Sequence, residues 1–338
     1  MPKITFMGAG STVFAKNVLG DSMMTPVLEE STIALYDIDH VRLEESAAML
    51  EAINRNAGSK ARIEKYLGVD NRKKALAGAD YVVNAIQVGG YDPCTITDFE
   101  IPKKYGLKQT IADTLGVGGV FRALRTIPVM MDFARDIEDV CPDAWLLNYT
   151  NPMAMLTGAM LRYTGVKTVG LCHSVQVCAP TLLNELGIGF DDTVQCRIAG
   201  INHQAWLLEC TKGGRDIYPE IRRRALLYNE GKLDIGSWED RLRMLMMDEE
   251  WDEERIAHAR EEYDLYQSAG KHYDMVRLEL MRRFGYYITE SSEHSSEYTP
   301  YFIKKDYPEL IDATASPLMN IPADASGRSR TGKSAGMS

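Results

Sequence analysis

Apolar and polar positions alternate in blocks along the first half of the chain. Residues 3–7 form a short apolar run that enters the turn Gly8-Ala9-Gly10-Ser11, and residues 13–24 follow with apolar side chains at helical spacing. Residues 32–39 make a second β-rich run, and 41–57 carry a polar helix pattern. Residues 61–69 read as a third strand and 71–79 as a short helix. The stretch 80–90 is the clearest buried strand and ends in Gly89 and Gly90. A helix pattern follows Gly119 and runs to about Val140, and two more strand-like runs occupy 145–152 and 166–174.

Strands that alternate with helices predict a parallel sheet covered on both faces. The expected fold is α/β, a Rossmann-like doubly wound sheet of the lactate/malate dehydrogenase kind. Ligands bind such sheets at the carboxyl ends of the strands. The polar residues at those ends are Gly8–Ser11, Asp37, Asn84, Asn148–Asn151 and Cys172–His173. Past about residue 190 the alternation changes. Residues 193–211 read as two strands around a polar loop, 215 to about 285 as charged helices, and 289–302 as a polar, aromatic stretch without periodicity. The boundaries drawn from this pattern are a nucleotide domain over 1–190, an α+β substrate domain over 191–312, and a disordered tail over 313–338.

The glycine turn gives the first chemistry. Gly8 permits the tight turn, Gly10 lets the backbone approach a pyrophosphate, and the helix that follows offers its N-terminal amides from Ser11 onward. A third glycine of the usual fingerprint is absent. Asp37 ends the second strand, where a carboxylate accepts from ribose hydroxyls and repels a 2′-phosphate, so NAD is expected over NADP. Asp39 either shares that role or caps the next helix. Asn84 and Asn148, at later strand ends, complete the expected cofactor contacts.

Composition narrows the partners. The 338 residues carry a net charge of −10, and no basic run exceeds a triplet such as Arg222-Arg223-Arg224, so nucleic acid is not expected. No apolar run approaches the ~20 residues of a membrane span, no signal segment precedes the first strand, and the six cysteines form no CxxC pair. These features fit a reducing cytoplasm.

Cys172 and His203 each follow an apparent strand, and a thiolate with an imidazole suits a divalent first-row metal; by themselves the two also fit a core thiol and a loop histidine. The motifs around them carry more. Residues 3–14, 88–100, 108–128, 141–155, 169–176, 199–203 and 285–300 resemble the NAD- and metal-dependent glycosidases of glycoside hydrolase family 4, most closely its α-galactosidase (melibiase) branch. The resemblance implies hydrolysis of an α-galactoside through oxidation at C3 by resident NAD, loss of the C2 proton, elimination, water addition and re-reduction. It implies Cys172 and His203 as ligands of Mn²⁺ or another divalent metal, Asn151 and Asp113 as substrate contacts, and His173 as proton donor to the leaving group. For the C2 base the register offers Glu279, with Tyr287 and Tyr286 as alternatives; Glu279 fits equally as an ion-pair partner of Arg282 or Arg283. Glu293 and His294 look like substrate-loop residues. A homodimer or homotetramer is implied.

Other family-4 specificities (α-glucosidase, α-galacturonidase, 6-phospho-glycosidase), a hydroxy-acid dehydrogenase, and an inactive NAD-binding form remain as alternatives. Family members run about a hundred residues longer. Residues 318–322, Leu-Met-Asn-Ile-Pro, can be encoded so that a shifted frame reads Asp-Glu-Tyr-Pro, as in the related enzymes. The tail is therefore expected to be an out-of-frame extension.

Overall fold

The structure is a computed structural model, and it describes residues 1–107, 114–246 and 251–298. These divide into two compact units, residues 1–100 with 114–171, and residues 101–107 with 172–298. The expected tail, 313–338, lies outside the described residues.

Six strands build the first unit: β1 (Lys3–Met7), β2 (Thr32–Asp37), β3 (Arg62–Leu67), β4 (Tyr81–Asn84), β5 (Trp145–Asn148) and β6 (Lys167–Gly170). They are parallel and lie in the order β3-β2-β1-β4-β5-β6. That is the doubly wound arrangement expected, with its switch point between β1 and β4. The helices are α1 (Thr12–Met24), α2 (His40–Ala57), α3 (Arg72–Leu76), α4 (Ile96–Lys104), α5 (Val117–Val140) and α6 (Met153–Tyr163); α4 continues into the second unit at residue 101.

Strands β1, β2 and β4 are buried almost throughout because both faces of the sheet are covered there. One core gathers Phe6, Leu19, Ile33, Leu35 and Leu50, and the other Met7, Val82, Met130, Ile137 and Leu146. Burial of each such side chain is worth about 1.5–3 kcal/mol. Asp39 caps α2 by accepting from the Arg42 amide at 3.1 Å, and Gly58 ends the helix in the left-handed region. Of the two roles open to Asp39, the structure shows the cap.

The second unit holds α7 (Ser174–Glu185), β7 (Val194–Ile201), β8 (Gln204–Lys212), β9 (Arg215–Asp216), α8 (Tyr218–Asn229), α9 (Trp238–Met246), α10 (Glu253–Ala269), α11 (Met275–Phe284), β10 (Tyr287–Ile288) and α12 (Ser292–Tyr298). β8 pairs antiparallel with β7, β9 and β10, so this unit is α+β as expected. The sequence pattern places α7 before residue 190, but its buried face (Cys178, Leu182, Leu183) packs with Leu207, Ile221, Leu278 and Tyr287 of the second unit. A buried ion pair braces the same core. Arg241 meets Glu185 and also donates to the Asn184 and Glu185 carbonyls, while the Tyr228 hydroxyl donates to Glu185 at 2.7 Å. No described helix is long and apolar enough to cross a membrane.

Candidate functional site

In the first unit the register aligns four strand ends in one row: Met7 opposite Asn84, Asn84 opposite Asn148, and Asn148 opposite Gly170. The glycine turn sits at the end of β1. Gly8 has φ +87°, and a Cβ there would fall 2.8 Å from the Ala85 carbonyl oxygen. A Cβ on Gly10 would fall 2.8 Å from Arg42 Cβ and 2.9 Å from Asp37 Oδ2. Only glycine fits either position, which leaves a concave backbone cradle. Ser11 places no side chain on the first-turn amides of α1, and that turn holds no acidic residue. The combination suits a pyrophosphate.

Asp37 is buried. Its Oδ2 accepts from the Gly10 amide at 2.6 Å and its Oδ1 from the Asp39 amide at 2.9 Å. Each oxygen keeps a second lone pair for a hydroxyl donor. The carboxylate therefore also shapes the turn itself. Asn84 and Asn148 were expected to contact the cofactor; both are wholly buried and chiefly bond within the protein. Asn84 Nδ2 donates to Asn148 Oδ1 at 2.9 Å and to Thr150 Oγ1 at 3.0 Å, and Asn148 Nδ2 donates to Thr157 Oγ1 at 3.2 Å. Only Asn84 Oδ1 lacks a partner. This network ties β4, β5 and α6 together beneath the loop that carries Asn151, whose Oδ1 accepts from the Met153 amide at 3.3 Å. Asp113 lies outside the described residues.

In the second unit Cys172, His203 and Glu290 come together. One ligand atom from each lies within 4.8 Å of the others. Ligands held roughly 2.0–2.3 Å from one ion stand about 3–4.5 Å apart, so small side-chain adjustments would bring the three onto a divalent metal. Three separate elements deliver them. Cys172 precedes α7, His203 occupies the turn between β7 and β8, and Glu290 follows β10. His203 adopts φ +63°, a left-handed conformation uncommon for residues with a side chain. Its Nε2 lies 3.4 Å from Glu290 Oε2. Burial alone would raise the Cys172 thiol, but hydrogen bonds from His203 and Ser174 outweigh it and bring the thiol below its ordinary value. That favours the thiolate a metal requires.

His294 braces the cluster. Its ring packs edge-on against His203 at 4.7 Å, and its Nδ1 lies 2.7 Å from Ser291 Oγ. Burial, then His203 and Arg277, push it down to about 3, so the ring is neutral. Next to His203, Asn202 keeps both side-chain polar atoms buried without a partner, as a position that receives a ligand hydroxyl or a water does. Glu293 lies in α12, and its side chain is outside the described residues. His173 is exposed at the N-cap of α7, adjacent to Cys172 in the chain.

The residues expected as C2 base have partners of their own. Glu279 accepts three 2.7 Å hydrogen bonds, two from Arg282 and one from Arg283, and its carboxyl is held below the usual value mainly by Arg282. Helical spacing on α11 makes that pairing local and favourable. Tyr287 is wholly buried and donates its hydroxyl to Asp274 at 2.8 Å. Tyr286 is exposed and stacks near Arg222. Sequence reasoning missed Glu290 and Asn202. For Glu290 the available signal was its place in the 285–300 motif directly beside the residues already singled out.

Comparison with known proteins adds two findings of family and one of fold. Residues 3–188 match the model described as family 4 glycosyl hydrolase, and residues 198–331 match the model of the family 4 glycosyl hydrolase C-terminal domain. The chain is 55% identical to the α-galactosidase of Bacillus subtilis (strain 168) over 322 residues, covering 95% of this chain and 65% of that protein. It is 33% identical to the α-galactosidase of Rhizobium meliloti (strain 1021) over 305 residues, 90% of this chain and 53% of that protein. The chain thus spans between half and two thirds of these relatives. A 6-phospho-α-glucosidase from gut microorganisms, solved in complex with NAD and Mn²⁺, shares the fold with TM-score 0.64 and 20% identity, covering 93% of this chain and 66% of that one.

Proposed function

The chain belongs to the family 4 glycosyl hydrolases, and from that premise we propose that it serves NAD- and divalent-metal-dependent cleavage of α-galactosides. The observation that carries the reading is the Cys172–His203–Glu290 cluster, in a chain whose other unit presents a glycine cradle and Asp37. A hydroxy-acid dehydrogenase on the same sheet has no use for such a cluster. Bound NAD would supply reversible oxidation at the sugar's C3, whose ketone makes the C2 proton acidic, and a divalent metal held by Cys172, His203 and Glu290 would polarise that carbonyl oxygen.

The chain's own residues have distinct tasks in this reading. Gly8 and Gly10 admit the pyrophosphate, and Asp37 takes the ribose hydroxyls while holding the turn closed through the Gly10 amide. Asn84 and Asn148 keep the loop of Asn151 in place for the sugar. Cys172, His203 and Glu290 hold the metal, and His294 fixes the ring of His203 from its edge. Asn202 offers an amide to a substrate hydroxyl. His173, exposed and next in the chain to Cys172, is the imidazole offered as proton donor to the leaving group. The galactoside preference rests on the 55% identical relative.

The test is release of p-nitrophenol from p-nitrophenyl α-galactoside, with glucoside and galacturonide analogues alongside, each with and without NAD⁺ and Mn²⁺ under reducing conditions. Cleavage that needs both additions, without net NADH, is the expected result. Net NADH from a hydroxy acid, or cleavage indifferent to both additions, contradicts it.

A further inference from the structure

Two thiols outside both sites face each other across the β7–β8 hairpin. Cys196 and Cys210 are directly opposite in the register, with Sγ atoms 3.6 Å apart. Cys210 points its backbone away from β7, since its carbonyl accepts from the Ile217 amide on the other side of β8. The Thr193 carbonyl accepts from the Gly213 amide across the hairpin, which sets the alternation of the ladder and makes Cys196–Cys210 a non-hydrogen-bonded pair. At such pairs Cα atoms stand about 4.5 Å apart and the side chains come closest. That separation falls within the range a disulfide spans. The two thiols also differ in access, Cys196 being exposed and Cys210 buried. One is placed to meet an oxidant and the other to resolve it.

We propose that Cys196 and Cys210 are a reversible disulfide-forming site that cross-links the hairpin carrying His203. The oxidant is a low-molecular-weight disulfide such as glutathione disulfide. Cys196, as thiolate, attacks one of its sulfurs and expels one glutathione thiolate, which takes up a proton. Cys210 then attacks the Cys196 sulfur of the mixed disulfide and expels the second. Two protein thiols and one glutathione disulfide become one protein disulfide and two glutathione thiols. Burial raises the Cys196 thiol and pushes the Cys210 thiol up to about 12, so the cross-link forms faster as pH rises above neutrality. Cys178 is the nearest rival, since its charge reaches both thiols, but it is buried and burial pushes it up to about 12 as well.

The site stands independently of the glycosidase reading and is tested without an activity assay. The whole protein is treated with glutathione disulfide at pH 8, its remaining thiols are alkylated, and it is digested unreduced with trypsin and a protease that cuts before aspartate. Cleavage before Asp192 and after Arg197 and Lys212 puts Cys196 alone in 192–197 and Cys210 alone in 198–212. The expected product is these two peptides joined, at least tenfold above any other cysteine pair, lighter by two hydrogens than their sum and separated by dithiothreitol. The joined product is absent from Cys196→Ser. A link from either thiol to Cys178 or Cys172, or glutathione left on Cys196 with Cys210 still alkylatable, overturns the assignment.

Discussion

His203 Nε2 stands 3.4 Å from Glu290 Oε2, with Cys172 Sγ within reach of both. A hairpin turn, the approach to a helix and the exit of a two-residue strand each supply one donor. Removing the carboxylate leaves thiolate and imidazole with one protein donor fewer. Glu290→Gln is expected to weaken Mn²⁺ binding by roughly ten- to a hundredfold, read from the free-ion signal in an electron paramagnetic resonance titration. Unchanged affinity would remove Glu290 from the metal site.

Asp37 accepts from the Gly10 amide, and in the proposed reading it also takes the cofactor ribose. Asp37→Ala loses a charge-assisted hydrogen bond on each side, at about 1.5–3 kcal/mol apiece. NAD⁺ affinity is expected to fall at least tenfold by calorimetry, and the preference against NADP⁺ to shrink with it. A variant that binds NAD⁺ as the parent does would contradict the cradle assignment.

How much of this was legible in the sequence depended on whether a residue's chemistry followed from its place on a strand. Gly8, Gly10 and Asp37 did, because the carboxyl end of a parallel strand is both a polar position and a ligand position. Asn84 and Asn148 occupy equivalent places, yet they turn toward each other and toward Thr157. Nothing in a local pattern tells an inward amide from an outward one. Cys172 and His203 were recognisable through their surrounding motifs. Glu290 lies in the 285–300 motif, but periodicity gave no role to it, because β10 is two residues long and the polar run after it has no period. Glu185 and Arg241 lie 56 positions apart with no local pattern to pair them, and only tertiary packing shows them buried together.

That pair has its own consequence. Arg241→Met leaves Glu185 buried with the Tyr228 hydroxyl but without its cation. The variant is expected to lose about 3–5 kcal/mol of stability, measured by urea unfolding of the second unit. The double variant Glu185→Gln/Arg241→Met is expected to recover part of the loss. A single variant as stable as the parent would show that the pair contributes nothing.

The same core sets a pH dependence. Burial, reinforced by Glu185, Asp274 and Glu261 and opposed by Arg241, pushes the Glu262 carboxyl from its ordinary 4.5 up to about 8. Burial, with Arg241 and Arg277, pushes His272 from 6.5 down to about 3. Between pH 4.5 and 8 the folded state keeps a proton on Glu262 that the unfolded chain has lost, so this stability declines as pH rises. Between pH 3 and 6.5 the unfolded chain holds a proton that folded His272 lacks, so that stability declines as pH falls. The two oppose each other from 4.5 to 6.5, and above 6.5 only Glu262 acts. Stability is expected to drop by about 2 kcal/mol from pH 6.5 to 8. Glu262→Gln removes the drop. An equal drop in the variant, or a rise in the parent, would contradict the account.

In the proposed reaction the sugar is oxidised and deprotonated on the way to hydrolysis, which simple displacement at C1 never requires. Turnover of an α-galactoside in D₂O, with NAD⁺ and Mn²⁺ present, tests it directly by nuclear magnetic resonance of the released galactose. Solvent deuterium is expected at C2 of the product. Galactose released with its original C2 hydrogen throughout would contradict it.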